Sequence, residues 1–262
     1  MNHVPANIKA AKSRLVVIGN GMAGMRTVEE ILNRAPDKYD ITVFGAEPRV
    51  NYNRIMLSPL LSGEKNFDEI VINTPEWYRE NNIHLYSGDP VVEIDRIRKV
   101  VISKSGTETE YDRLLLATGS DPIIIPVPGH KLSGVVTFRD VDDVDVMLGA
   151  AAKGGPAVVI GGGLLGLEAA VGLQARGMDV TVLHLAGHVM ERQLDPSAGY
   201  LLAQELERRG ITVITEADTA EIVGTETVTG VRLKDGRMIP ADLVVMAVGI
   251  RPNGRLAADT GI

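Results

Sequence analysis

One ten-residue stretch occurs twice in this chain, and that repetition narrows the fold more than any other feature. Leu15-Val-Val-Ile-Gly-Asn-Gly-Met-Ala-Gly24 returns as Ala157-Val-Val-Ile-Gly-Gly-Gly-Leu-Leu-Gly166, with the Val-Val-Ile run and all three glycines kept. Each copy reads as an apolar strand, a glycine turn and a helix. Each is followed by a second strand, Tyr39 to Phe44 in one and Met178 to Leu183 in the other. Repetition of a whole supersecondary unit sets the architecture before any single element does. Here the unit is βαβ, so the chain is expected to be an α/β protein with two parallel sheets.

Short alternating segments follow each unit and read as antiparallel meanders. In the first half the strands are expected over 91–94, 100–103 and 108–111, with Ser105-Gly106 among the turn formers; in the second, over 220–223, 228–233 and 237–239, with Asp235-Gly236 as the hairpin signal. Both meanders lead into an apolar strand that stops at a small residue and a glycine, Leu114 to Gly119 and Leu243 to Gly249. Between the halves, Pro122, Pro126, Pro128 and Gly129 break any helix. The expected organisation is a tail over 1–12, a first domain over 13–120, a crossover over 121–140, a second domain over 141–250, and a return toward the first over 251–262. A helix is predicted over 141–152, and Asp195-Pro196 predicts a capped helix that stops at Gly210.

Composition removes whole classes of function. With 27 Lys and Arg against 34 Asp and Glu, the net charge is −7, without the basic excess that nucleic acid or an anionic membrane rewards. There is no Cys, so the chain carries no thiolate for an iron–sulfur cluster, a Cys-ligated zinc or disulfide exchange. The first residues have no apolar signal region, and no run approaches about 18 apolar residues, so a cytoplasmic chain is expected. His3, His84, His130 and His188 are scattered without ligand spacing, and no metal site is expected.

The glycine triplets have a mechanical reading. Gly19 permits the tight turn out of the strand, Gly21 lets backbone approach a pyrophosphate, and Gly24 lets helix and strand pack closely. The helix start then offers oriented N–H groups and partial positive charge. Gly161, Gly163 and Gly166 repeat the device. An acid at the end of the second strand binds a ribose diol in such units. Glu47 stands there in the first unit. In the second, the strand ends at His184 with no acid in the next three residues, and Arg192 is the nearest cation downstream. His184 can donate to a ribose hydroxyl or to a 2′-phosphate, which leaves NAD and NADP both open.

These residues resemble the two-dinucleotide flavoprotein reductases of the pyridine nucleotide-disulphide oxidoreductase type. The likeness rests on Gly19-x-Gly21-x-x-Gly24, Glu47-Pro48, Tyr52-Asn53-Arg54 with Leu57-Ser58, Ala117-Thr118-Gly119, Gly161-x-Gly163-x-x-Gly166-x-Glu168 and Ala247-Val248-Gly249. Within them, Tyr52 to Ser58 and Met190 to Asp195 most resemble the large subunits of assimilatory NAD(P)H-dependent nitrite reductases. The resemblance implies FAD in the first unit and NAD(P)H in the second. Gly19, Gly21, Met22, Ala23 and Gly24 would face the FAD pyrophosphate, Glu47 its adenosine ribose, Arg54 its phosphate or adenosine end, and Val91 its adenine. Ser58, Ala117, Thr118, Gly119 and Arg139 would complete the flavin contacts. Gly161, Gly163, Leu164, Leu165 and Gly166 would hold the nicotinamide dinucleotide, with His184, Arg192 and Gly249 at the same site and Glu168 near nicotinamide and flavin.

The resemblance further implies hydride transfer from NAD(P)H to flavin and onward release of electrons, with no side chain as general acid, general base or nucleophile. Nitrite chemistry in such enzymes needs sirohaem and a Cys-held cluster, absent from these 262 residues. Partners would be a small subunit or downstream redox domains, with a homodimer open. Three departures stand out. Pro59 replaces a Lys found in related ferredoxin reductases, Ala46 replaces an acid, and the family's further Gly-Asp FAD motif and interface domain are expected beyond Ile262. Two alternatives share the motifs: a rubredoxin or ferredoxin reductase, and a redox sensor that binds FAD and NAD without turnover.

Overall fold

A computed structural model describes residues 11–262; residues 1–10, with most of the expected tail and His3, lie outside the described residues. The first half of the chain runs β1 (Ser13–Ile18), α1 (Met22–Arg34), β2 (Tyr39–Gly45), α2 (Leu57–Ser62), α3 (Phe67–Ile70), α4 (Pro75–Glu80), β3 (Ile83–Ser87), β4 (Val91–Asp95), β5 (Val100–Ser103), β6 (Glu108–Glu110) and β7 (Arg113–Leu116). The remainder runs β8 (Ser120–Pro122), β9 (Val135–Thr137), α5 (Val141–Ala151), β10 (Pro156–Ile160), α6 (Leu164–Ala175), β11 (Asp179–Leu183), α7 (Pro196–Arg208), β12 (Ile211–Ile214), β13 (Thr219–Gly224), β14 (Val228–Leu233), β15 (Met238–Pro240), β16 (Leu243–Met246), β17 (Ile250–Pro252) and α8 (Arg255–Asp259).

Contacts divide the chain into two compact units. One gathers the chain up to Asn53, Val71–Gly119 and Asn253–Ile262; the other gathers Arg54–Ile70 and Ser120–Pro252.

In the first unit a parallel sheet has the order β3-β2-β1-β7. A central parallel strand is covered on both faces and therefore reads as an unbroken apolar run, as Leu15 to Ile18 do. Because side chains alternate along a strand, Leu15 and Val17 pack with Met25 and Val28 of α1. Val16 and Ile18 go to the opposite face, against Val91, Ile94 and Val101 of the antiparallel sheet β4-β5-β6. Each such buried side chain contributes about 1.5–3 kcal/mol. Five strands lie outside the expected set: β3 on the sheet edge, β12 at the corresponding edge of the second unit, and the short β8, β9 and β17.

In the second unit the parallel sheet has the order β12-β11-β10-β16-β9, with β13-β14-β15 as its antiparallel companion. Val158 and Ile160 pack with Leu183, Val231, Leu233 and Met246 in one core. The crossover is not all irregular, since β8 pairs with β17 and β9 closes the sheet beside β16. The helix expected over 141–152 is α5, capped by Asp140, and α7 starts at Pro196 with the Asp195 carboxylate accepting from Ala198 N–H at 2.8 Å.

Residues 54–70 belong to the second unit although they interrupt the first in sequence. The cause is local packing. α6 is apolar almost all round, and a Cβ on its Gly172 would stand 2.8 Å from Leu61, so α2 crosses α6 closely there. Arg176 Nε then donates to Leu61 O at 2.7 Å. Among the described residues, no helix is long and apolar enough to cross a membrane.

Candidate functional site

The two glycine turns are built alike, bond for bond. Gly19 N–H donates to Phe44 O and Ala117 N–H to Ile18 O; Gly161 N–H donates to Leu183 O and Ala247 N–H to Ile160 O, each at 2.8 Å. Gly19 has φ +119° and Gly161 +120°, which L side chains rarely adopt. A Cβ on either would run into the strand alongside, 2.1 Å from Ala117 O or 2.3 Å from Ala247 O. The third glycine lets the helix close down, since a Cβ would meet Gly19 O at 2.5 Å on Gly24 and Gly161 O at 1.9 Å on Gly166.

The middle glycines behave differently. Around a Cβ built on Gly21 or on Gly163 nothing lies within 4 Å. These positions have no internal reason to be glycine, and the space they leave open lies at a helix start. There α1 and α6 have no side-chain cap and no acid in the first turn. By contrast α4, α5 and α7 are capped by Thr74, Asp140 and Asp195. Open space above uncapped N–H groups fits the phosphates of a dinucleotide, one at each turn. Both turns lie at the carboxyl ends of the strands where the sheet order reverses, between β1 and β7 and between β10 and β16.

In the first unit Glu47, just beyond β2, is half-buried and accepts from Tyr52 Oη at 2.7 Å, so it is a positioned carboxylate. Met22 and Ala23 form the first turn of α1, and Val91 opens β4 as a buried residue. Beyond β7, Thr118 Oγ1 donates to Asn253 O at 2.6 Å and Asn253 N–H to Gly119 O at 3.0 Å, which ties the last segment into this unit.

The second unit holds a cavity of about 670 Å³ at its turn. Gly161, Gly163, Leu164, Leu165, His184, Arg192, Gly249 and Arg139 line it, and so do Glu191, Asp218 and Thr219. Arg139, expected at the flavin nucleotide, is therefore at the second unit's cavity. Its N–H donates to Asp143 Oδ2 at 2.6 Å while its guanidinium turns to Ser120, with Nη2 to Oγ at 2.8 Å. Arg54 and Ser58 also fall in this unit. Arg54 Nη1 donates to Arg139 O at 2.5 Å, and Ser58 Oγ donates to Glu168 Oε2 at 2.6 Å. Burial pushes the Asp143 carboxyl above its usual value, against the hydrogen bonds from Thr137 and from the backbone.

His184 is no surface residue: it is 7% exposed. Its Nδ1 accepts from Gly162 N–H at 3.1 Å, and its Nε2 lies 3.0 Å from Glu191 Oε2 without the alignment of a hydrogen bond. Sequence reading missed Glu191, Asp218 and Thr219. The one available signal was Gly162, a glycine where the first copy has Asn20; a Cβ there would stand 2.9 Å from His184 Cγ and 3.0 Å from Val189 Cγ1. Among the described residues, no group of three His, Asp or Glu is arranged to hold a metal. His84 is exposed on β3, while His130 and His188 bond backbone carbonyls through one ring nitrogen.

The chain is 55% identical over 251 residues to a nitrite reductase [NAD(P)H] of Bacillus subtilis (strain 168), covering 96% of this chain and 31% of that protein. It is 46% identical to an assimilatory nitrate reductase electron transfer subunit of the same organism, covering 96% of this chain and 33% of that protein. It thus spans about a third of the length of these curated relatives. Among solved structures, an NAD-dependent persulfide reductase from A. fulgidus superposes with a TM-score of 0.90 at 31% identity, covering 95% of this chain and 48% of that one. The family model described as pyridine nucleotide-disulphide oxidoreductase matches residues 13–262, and the chain belongs to that family.

Proposed function

We propose that this chain is the electron-entry module of an NAD(P)H-dependent nitrite reductase. Its second unit takes NAD(P)H and its first takes FAD. Electrons then go to iron–sulfur and sirohaem centres carried outside these 262 residues, by a small subunit or by downstream domains, in the cytoplasm. The observation that carries the reading is the pair of open, uncapped glycine turns, one per unit, matched in geometry.

The chemistry that bound flavin supplies is acceptance of a hydride and release of single electrons. The residues bind and orient. N–H groups of Gly21, Met22 and Ala23 face one pyrophosphate, and those of Gly163, Leu164 and Leu165 the other. Glu47, fixed by Tyr52, accepts from the flavin's adenosine ribose. The Val91 backbone meets adenine, and Thr118 and Gly119 close over the cofactor. Glu168, fixed by Ser58, stands one turn into α6 and orients the nicotinamide end. Orientation is the catalytic contribution; no side chain is needed to move a proton.

The relatives' names support nitrite as the final acceptor over the ferredoxin or rubredoxin alternative. The test is anaerobic mixing of the purified full-length protein with NADH or NADPH. Flavin bleaching followed by reoxidation on adding nitrite is expected. Reoxidation by ferredoxin or rubredoxin but not by nitrite would select the alternative acceptor, and unbleached flavin would select the sensor.

A further inference from the structure

The second unit has no acid directly after β11, where a carboxylate ordinarily receives the ribose diol of a non-phosphorylated dinucleotide. We infer that Glu191, further along the loop that follows β11, fills that place and makes the unit selective for NADH over NADPH. The inference rests on the second cradle holding a nicotinamide dinucleotide.

Glu191 is delivered by a fixed piece of backbone. Met190, in the left-handed region at φ +56°, donates its N–H to Gly162 O at 2.9 Å. Val189 is fully buried against the glycine turn, in space that a side chain at position 162 would take. Gln193 and Leu194 N–H groups return to Met190 O at 2.8 and 2.9 Å, closing the loop. The next side chain after Met190 therefore falls at the end of β11, with its carboxylate 3.0 Å from His184 Nε2 and on the cavity wall.

The electrostatics of the wall favour hydroxyls over a phosphate. His184 Nδ1 accepts from Gly162 N–H, so this nitrogen is taken up by the backbone and offers no donor to a 2′-phosphate. Arg192 is a cation on this wall, but its side chain is 87% exposed and only 4.0 Å at closest from Glu191 Oε1. The Glu191 carboxylate, 3.0 Å from His184 Nε2 at the strand end, accepts from ribose hydroxyls and repels phosphate. Two buried polar atoms without hydrogen-bond partners, His184 Nε2 and Thr219 Oγ1, belong to residues of this same wall, as expected of a surface completed by a polar ligand.

Calorimetric titration of the full-length protein with NAD⁺ and with NADP⁺ tests this without turnover. NAD⁺ is expected to bind roughly tenfold tighter or more, the scale of one charged hydrogen bond. Glu191→Gln should narrow that ratio to within about threefold, and Glu191→Lys should reverse it. The side chain is at the surface, so thermal unfolding should not move in either variant. Equal binding of the two dinucleotides by the parent protein, or an unchanged ratio in both variants, would overturn the inference alone. Absence of binding by either dinucleotide would overturn the reading of the cradle together with it.

Discussion

Ser58 Oγ donates to Glu168 Oε2 at 2.6 Å, joining α2 to the first turns of α6. The bond holds the carboxylate proposed above to orient the nicotinamide end. Here a hydroxyl does the holding. Ser58→Ala is expected to slow flavin reduction by NADH about tenfold while dinucleotide affinity moves less than about threefold, since a hydrogen bond to a charged group contributes about 1.5–3 kcal/mol. Ser58→Thr should restore the rate. Stopped-flow reduction of the full-length protein measures it, and an unaltered rate in Ser58→Ala would remove Glu168 placement from the mechanism.

The glycines of one turn should separate folding from binding. Gly161→Ala places a Cβ 2.3 Å from Ala247 O at a left-handed φ, so a loss of about 3 kcal/mol or more is expected. Gly163→Ala meets nothing within 4 Å, so its unfolding midpoint should match the parent. Its dinucleotide affinity should nevertheless fall by about tenfold or more, because the methyl takes phosphate space. Urea unfolding and calorimetry on both variants check the contrast. A Gly163→Ala protein that unfolds early would mean the open space has a structural use.

Two carboxylates should act on acid stability with opposite signs. Arg14, through its side chain and then its N–H, holds Asp112 down from 3.8 to about 2. A depressed carboxyl contributes stability above its unfolded value and loses it as pH falls through about 2. Asp143 is pushed up by burial, so the folded protein takes its proton first and gains relative stability as the solution turns acidic. Urea midpoints across the acid range should therefore decline less steeply in Asp112→Asn than in the parent, and more steeply in Asp143→Asn. Equal slopes in all three proteins would contradict both assignments.

Gly162 should be intolerant where its counterpart Asn20 is large. Asn20 Oδ1 accepts from Tyr78 Oη at 2.7 Å, so the first unit uses a side chain at this position. The second unit uses its absence. Gly162→Ala is expected to displace His184 and Val189 and with them Glu191, lowering NADH affinity by about tenfold without loss of FAD. Retained NADH affinity in a folded Gly162→Ala protein would show that the loop is not seated through this glycine.

Much of the frame was legible because it is written locally. The duplicated Val-Val-Ile-Gly strands, the turn formers of both meanders and the Asp195-Pro196 cap each act within a few residues, and each appears where its chemistry requires. The edge strands Ile83–Ser87 and Ile211–Ile214 were not, since a short strand with one exposed side carries a weak period. Arg54–Ile70 joined the second unit through Gly172 and Leu61, a contact no local pattern announces. The glycine cradles could be read from spacing, but Glu191 could not. Its placement depends on Met190 taking a left-handed conformation, uncommon for a residue other than glycine, and on the Met190 N–H reaching Gly162 O, and no residue pattern announces either.

The most direct measurement is to compare bound flavin and bound dinucleotide in Gly21→Ala and Gly163→Ala versions of the full-length protein. Two cradles for two cofactors require that the first variant lose FAD and still bind NAD⁺, and that the second keep FAD, with its colour unbleached by NADH at concentrations that bleach the parent. If both variants lose the same ligand, or neither loses any, the assignment of one dinucleotide to each turn is wrong.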